Sequence, residues 1–186
     1  MIQKCRKNFW FILAIVLVGI VLVYRLIHSG LWYDEAIEYW YSKTLLGAVP
    51  GGRSYNSMYE RICSTYQPPL YNWLLCLWLH IWDTEWGFRF FGVIVCLFGC
   101  MDMYLTINFI TNNQVWSFTN TLLYGITYQV VYYSQECSEY YLLLAMIIWT
   151  YYFSIRTIQD FTLRNLIGFY VFAVLAVYSQ YGGHLP

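Results

Sequence analysis

Charge is scarce in this sequence. Of 186 residues only 11% are Asp, Glu, Lys or Arg, ten of each sign, against about 25% in an ordinary soluble domain. So few charges cannot cover a water-soluble globule whose composition is 60% apolar and 22% aromatic. Disorder is excluded by the same numbers, and a net charge of zero removes the basic footprint of a nucleic-acid binder, so no nucleic-acid partner is expected. Paired cysteines are also missing. Cys5, Cys63, Cys76, Cys96, Cys100 and Cys137 form no C-x-x-C pair and no metal-ligand spacing with His28, His80 or His184. This excludes a disulfide-dense scaffold and leaves them as small apolar residues in helices.

Long apolar stretches are abundant. A span needs about 20 mostly apolar residues, so the expected fold is all-α, a polytopic helical membrane protein with the bilayer as its main partner. The chain opens on the basic segment MIQKCRKN, followed by an apolar run with no small-x-small cleavage site, which predicts an uncleaved first span over 9–28. Lys4, Arg6 and Lys7 place residues 1–8 in the cytoplasm by the positive-inside rule. Further apolar stretches occupy 86–110, 115–133, 139–155 and 165–181. No Lys or Arg occurs between Phe90 and Ile155, and Arg156 and Arg164 mark the next cytoplasmic loop. Counting crossings back from that loop puts residues 29–87 outside the cytoplasm. The apolar piece 68–82 then lies in the interface, in keeping with its shortness, its double proline and Trp73, Trp78 and Trp82, although a re-entrant or spanning path is the alternative. The expectation is a single membrane domain over 1–186 in the plasma membrane, with about five spans. A loop over 29–87 carries two interfacial helices, and four further spans occupy 88–182.

Two acidic groups stand out. Asp34 and Glu35 open an amphipathic helix with Glu38 one turn on, while Trp32, Ile37, Trp40, Tyr41 and Leu45 can lie on lipid. Acids in a first turn suit the helix dipole, and a carboxylate beside apolar walls at a membrane surface also suits a general base. Gln135, Glu136 and Glu139 sit at the outer mouth of two nearly uncharged spans. Glu139 reads best as part of a helix start capped by Ser134 or Ser138, and Glu136 as the better functional candidate. Asp102 lies deep within 86–110, where an ionisable group costs a few kcal/mol and is either functional or hydrogen-bonded to a neighbouring helix. Lys43, Arg53, Arg61 and Arg89 fall on the outer side. They pair with Glu60, Asp83 and Glu85 or gather to hold a phosphate.

These elements occur in a telling order: Trp32-Tyr33-Asp34-Glu35, then Gln67-Pro68-Pro69-Leu70-Tyr71, then Glu85 to Phe90, then Tyr133-Ser134-Gln135-Glu136 with Tyr140, and Tyr178 to Tyr181. The chain resembles the N-terminal part of the polyprenyl-phosphate-dependent glycosyltransferases of the GT-C superfamily, of the protein O-mannosyltransferase and aminoarabinose-transferase type. The resemblance implies a first extracytoplasmic loop with two interfacial helices. It also implies transfer of a sugar from a polyprenyl-phosphate donor to a hydroxyl of a protein, lipid or glycan acceptor outside the cytoplasm. It casts Asp34 as the general base and Glu35 and Glu136 as groups orienting the acceptor or a divalent cation. Arg89, or a loop cation such as Lys43, would stabilise the leaving phosphate, and Gln67, Tyr71, Gln135 and Tyr140 would bind substrate. The family's S-Q-E-A-R-x-Y pattern has Ser138 here in place of its Arg, and its chains are longer, so the sequence is expected to match their N-terminal portion. The alternative is a truncated, non-catalytic paralogue or an assembly partner.

Overall fold

The computed structural model of the chain describes residues 2–180 apart from 25, 27–30, 32, 49, 66 and 137, with side chains from Phe9 onward. The side chains of Lys4, Arg6 and Lys7, residues His28, Trp32, Tyr181 and His184, and the end of the expected first span lie outside the described residues. The described residues are helical and contain no strand. The helices are α1 (Ile2–Tyr24), α2 (Tyr33–Ser42), α3 (Met58–Ser64), α4 (Leu70–Leu79), α5 (Glu85–Thr111), α6 (Gln114–Gly125), α7 (Tyr128–Gln135), α8 (Tyr140–Gln159) and α9 (Leu163–Ser179).

α5 and α8 are long and apolar enough to cross a membrane. At 1.5 Å per residue they measure about 40 and about 30 Å, against a hydrocarbon core of about 30 Å. Ile20, Leu123, Ile167 and Val174 are each more than half exposed, which suits lipid and not water as the surrounding solvent. The fold is that of a helical membrane protein. α5 is its centre and packs against α1, α4, α6, α7 and α8.

Local sequence explains where the helices begin and end. Thr84 Oγ accepts from Gly87 N at the start of α5, and Asn112, in the left-handed region at φ 50°, ends that helix. Asn113 Oδ1 then accepts from Val115 N and Trp116 N and starts α6, so two asparagines reverse the chain. Thr162 caps α9 in the same way, and Asn165 Nδ2 donates back to Asp160 O at 2.9 Å. Small residues let the helices meet closely. A Cβ on Gly92 would fall 2.6 Å from Ser134 O of α7, and one on Gly125 would fall 2.5 Å from Val18 of α1. Phe98, Trp149 and Phe172 stack with centroids 4.9 and 5.1 Å apart and join α5, α8 and α9.

Several expectations change. The stretch 115–133 is two helices, broken at Ile126 and Thr127. The first loop holds a third helix, α3, that periodicity did not reveal. Its seven residues are started by Ser57 Oγ, which accepts from Glu60 N. α4 has ten residues, about 15 Å, which is about half the thickness of a hydrocarbon core. Asp102 is fully buried in α5.

Candidate functional site

α1 ends, α5 begins, α7 turns into α8 and α9 ends at one end of the bundle, where α2, α3 and α4 also gather. An open cleft of about 420 Å3 lies there. Its walls are Asp34, Glu35, Ile37 and Glu38 from α2, Gln67 from the approach to α4, and Tyr132, Tyr133, Glu136, Ser138, Glu139 and Tyr140 from the α7–α8 corner. Three segments distant in sequence thus place five carboxylates and three tyrosines around one space.

The scaffold of the cleft is polar and buried. Gln67 Nε2 donates to Glu139 Oε1 at 2.7 Å across 72 positions of sequence and ties the first loop to α8. Glu35 and Arg89, each about 4% exposed, form an ion pair at 3.1 Å, with Glu85 a further 3.6 Å contact of the same guanidinium. That pair fastens the first turn of α2 to α5. One turn along α2, Asn72 Nδ2 donates to Glu38 Oε2 at 2.6 Å and to Ser42 Oγ at 3.2 Å. Asn72 Oδ1 accepts from Arg61 Nη2 at 2.7 Å, and Arg61 Nη1 donates to Leu45 O at 3.0 Å. This relay links α2, α3 and α4. It also floors an adjoining chamber of about 390 Å3 that shares Ile37, Glu38 and Gln67 with the cleft.

Glu38 is pushed up to about 7, by burial first and then by the neighbouring Glu139, with Asn72 and Arg61 acting against the shift. A carboxyl held above its ordinary value of 4.5 stabilises the fold fully below pH 4.5, and the contribution is lost as pH rises through about 7. Glu38→Gln keeps an acceptor for Asn72 and removes the charge. Thermal melts between pH 4.5 and 8 should show that the substitution flattens the pH dependence and raises the melting temperature at pH 8. An unchanged profile would remove Glu38 as its source.

The expected site residues divide. Asp34, Glu35, Gln67, Glu136 and Tyr140 line the cleft. Arg89 does not: it is buried and its guanidinium is turned to the Glu35 carboxylate. Lys43 lies at the far end of α2, paired with Asp83 and over the Tyr39 ring at 4.5 Å. Tyr71 is a core residue, 1% exposed, whose hydroxyl accepts from Tyr141 at 3.2 Å. Gln135 is not in the lining, and its Nε2 is buried without a hydrogen-bond partner.

Glu139 is a wall of the cleft, 3% exposed, and more than a capping acid. Neither serine caps α8: Ser134 Oγ donates within α7 to Val131 O, and Ser138 Oγ has no partner. Ile37 lines both cavities and Tyr41 lines the chamber. The described lining of the cleft contains no Lys, Arg or His. Among the described residues no three His, Cys, Asp or Glu side chains come close enough together to hold a metal ion.

A family model described as dolichyl-phosphate-mannose-protein mannosyltransferase matches residues 66–185, which include α4 to α9 and the Gln67, Glu136, Glu139 and Tyr140 walls of the cleft. Nothing among the curated proteins or the solved structures matches the chain. Since the match spans more than half of its length, the chain belongs to the dolichyl-phosphate-mannose-protein mannosyltransferase family, a family of membrane glycosyltransferases.

Proposed function

We propose that this chain supplies the acceptor side of a reaction that moves a mannose-type sugar from a polyprenyl-phosphate donor to a hydroxyl, with the acidic cleft as the place of reaction. The observation that carries the reading is the meeting of Asp34, Glu35, Gln67, Glu136 and Tyr140 in one cleft at the loop end of a bundle whose sequence belongs to this family.

Asp34 is exposed on the first turn of α2, where its carboxylate can reach an incoming hydroxyl. It takes the hydroxyl proton as the acceptor oxygen bonds to the anomeric carbon. The bond from that carbon to the phosphate oxygen breaks, its electron pair leaves on the phosphate, and the configuration at carbon inverts. Glu35, locked by Arg89, keeps the first turn of α2 in register with α5. Gln67 and Glu139 hold the opposite wall in place, leaving Glu136 and Tyr140 to orient the acceptor. Charge on the departing phosphate needs a cation from outside the described lining of the cleft.

In this reading α1, α5, the α6–α7 pair, α8 and α9 are five crossings of a single membrane domain. The first residues lie in the cytoplasm and the cleft faces away from it. Ile81, 79% exposed just past α4, tests the arrangement. In a cysteine-free background, Ile81→Cys should react with an impermeant maleimide added outside right-side-out cells. Reaction solely from the cytoplasmic side would reverse the topology.

The absence of a cation from the described lining and Ser138 in place of the arginine of the S-Q-E-A-R-x-Y pattern favour a second reading, a non-catalytic partner that keeps the fold. Transfer separates the two. Purified chain in proteoliposomes, given polyprenyl-phosphate [14C]mannose and a serine peptide, should yield labelled peptide. No label above the protein-free background would leave the partner reading.

A further inference from the structure

The lining that makes the cleft a poor seat for phosphate makes it a good seat for the opposite charge. The described part of its walls carries Asp34, Glu35, Glu38, Glu136 and Glu139 and no Lys, Arg or His. Glu35 is met by Arg89 and burial raises Glu38 and Glu139, so the negative charge open to a ligand rests on Asp34 and Glu136. Clefts lined with one sign of charge and backed by low-dielectric walls concentrate ligands of the other sign and repel like ones.

The second observation is aromatic. Tyr128, Tyr132, Tyr133 and Tyr140 form a continuous row of rings at the α7–α8 corner, with successive centroids 5.4, 5.3 and 5.2 Å apart. Tyr132 and Tyr140 are each about 40% exposed and line the cleft, and Tyr128 is 71% exposed beyond it. None of the four has a cation over its ring among the described residues, whereas Lys43, Arg53, Arg61 and Arg156 each sit over an aromatic ring elsewhere. An exposed tyrosine row beside carboxylates is suited to a lysine or arginine side chain, whose charge meets the acids while its stem and head lie along the rings.

We infer that the cleft selects a polypeptide acceptor segment in which the hydroxyl residue is flanked by lysine or arginine, and that the donor phosphate sits outside it. This rests on the reading of the cleft as the acceptor site and adds its charge preference. The basic side chains would lie along the tyrosine row beside Glu136, whose carboxylate Tyr132 already contacts, and the hydroxyl between them would face Asp34. The family description names a protein acceptor and says nothing of its charge.

Binding is measurable without turnover. Fluorescent peptides Ala-Lys-Ser-Lys-Ala, Ala-Gln-Ser-Gln-Ala and Ala-Glu-Ser-Glu-Ala are titrated against the full chain in detergent micelles. The lysine peptide should bind about tenfold more tightly than the glutamine one, a difference of about 1.4 kcal/mol, and the glutamate peptide most weakly. The preference should shrink when salt rises from about 0.1 M to about 1 M, which shortens the Debye length from about 10 to about 3 Å. Glu136→Gln should reduce the lysine preference several-fold. Tyr132→Leu should weaken the lysine peptide while Tyr132→Phe, which keeps the ring, should not, and this pair separates ring contact from damage to the fold. Equal binding of the three peptides, or displacement of the lysine peptide by millimolar inorganic pyrophosphate at constant ionic strength, would overturn the inference. If the lysine peptide binds as expected but receives no sugar in the transfer assay, the charge preference stands and the enzyme reading falls. If sugar is transferred equally to all three peptides, the reverse holds.

Discussion

Arg89→Met should cost about 3–5 kcal/mol of stability, because it leaves the Glu35 carboxylate buried without its cation. The pair is almost fully withdrawn from solvent, with both side chains 5% exposed, so water cannot take over from the lost guanidinium. Glu35→Gln should cost less, since Arg89 keeps Glu85 at 3.6 Å and the Leu26 carbonyl at 3.4 Å. The double replacement Glu35→Met with Arg89→Met should recover much of the loss, as apolar groups in place of a buried pair leave no charge stranded. Thermal unfolding in detergent reads all three. For a chain of this size the Arg89→Met loss corresponds to a drop on the order of 10 °C in melting temperature. A melting temperature for Arg89→Met within a degree of the parent would show that Glu35 does not depend on Arg89, and the account of how α2 is anchored to α5 would fail.

Sequence reading found the helical membrane class and the apolar stretches because both follow from composition and run length, which need no tertiary information. Its interfacial reading of 68–82 came from charge parity, and α4 covers ten of those residues. It missed α3, whose seven residues carry no amphipathic repeat and whose Arg61 is buried by packing against α2 and α4. The break at Ile126 and Thr127 was hidden because apolar residues continue through it. Gly125, pressed against Val18, was the available signal.

In the cleft, Asp34, Glu35, Gln67, Glu136 and Tyr140 were legible from ordered motifs. Glu38 was noticed by its helical spacing and not ranked as a site residue, although it sits on the boundary between cleft and chamber. Glu139 reads from the sequence as part of a capped helix start because first-turn acids usually act locally, and its partner Gln67 lies 72 positions away. The pairing of Arg89 with Glu35 was hidden for the same reason. A lone arginine in a loop-facing turn suggests a ligand, and what it meets here is a carboxylate from another helix that only folding brings near.

Asp34→Asn should lower sugar transfer by about 10²–10⁴-fold, the usual contribution of a positioned general base, with little change in stability. Asparagine keeps the size and hydrogen-bonding shape of the side chain and loses the ability to accept the hydroxyl proton. Asp34 is exposed and no ion pair involving it is found among the described residues, so its replacement strands no buried charge. The rest of the cleft, including the Gln67–Glu139 tie and the Glu35–Arg89 pair, stays in place, and peptide binding should change by much less than the rate. Transfer from polyprenyl-phosphate [14C]mannose to a serine peptide, measured in parallel for the parent chain and Asp34→Asn, therefore tests most directly whether the acidic cleft is where the chemistry occurs. The account predicts labelled peptide from the parent and a rate lower by at least about a hundredfold from the variant, with peptide affinity kept. An active parent matched by an equally active Asp34→Asn would contradict it.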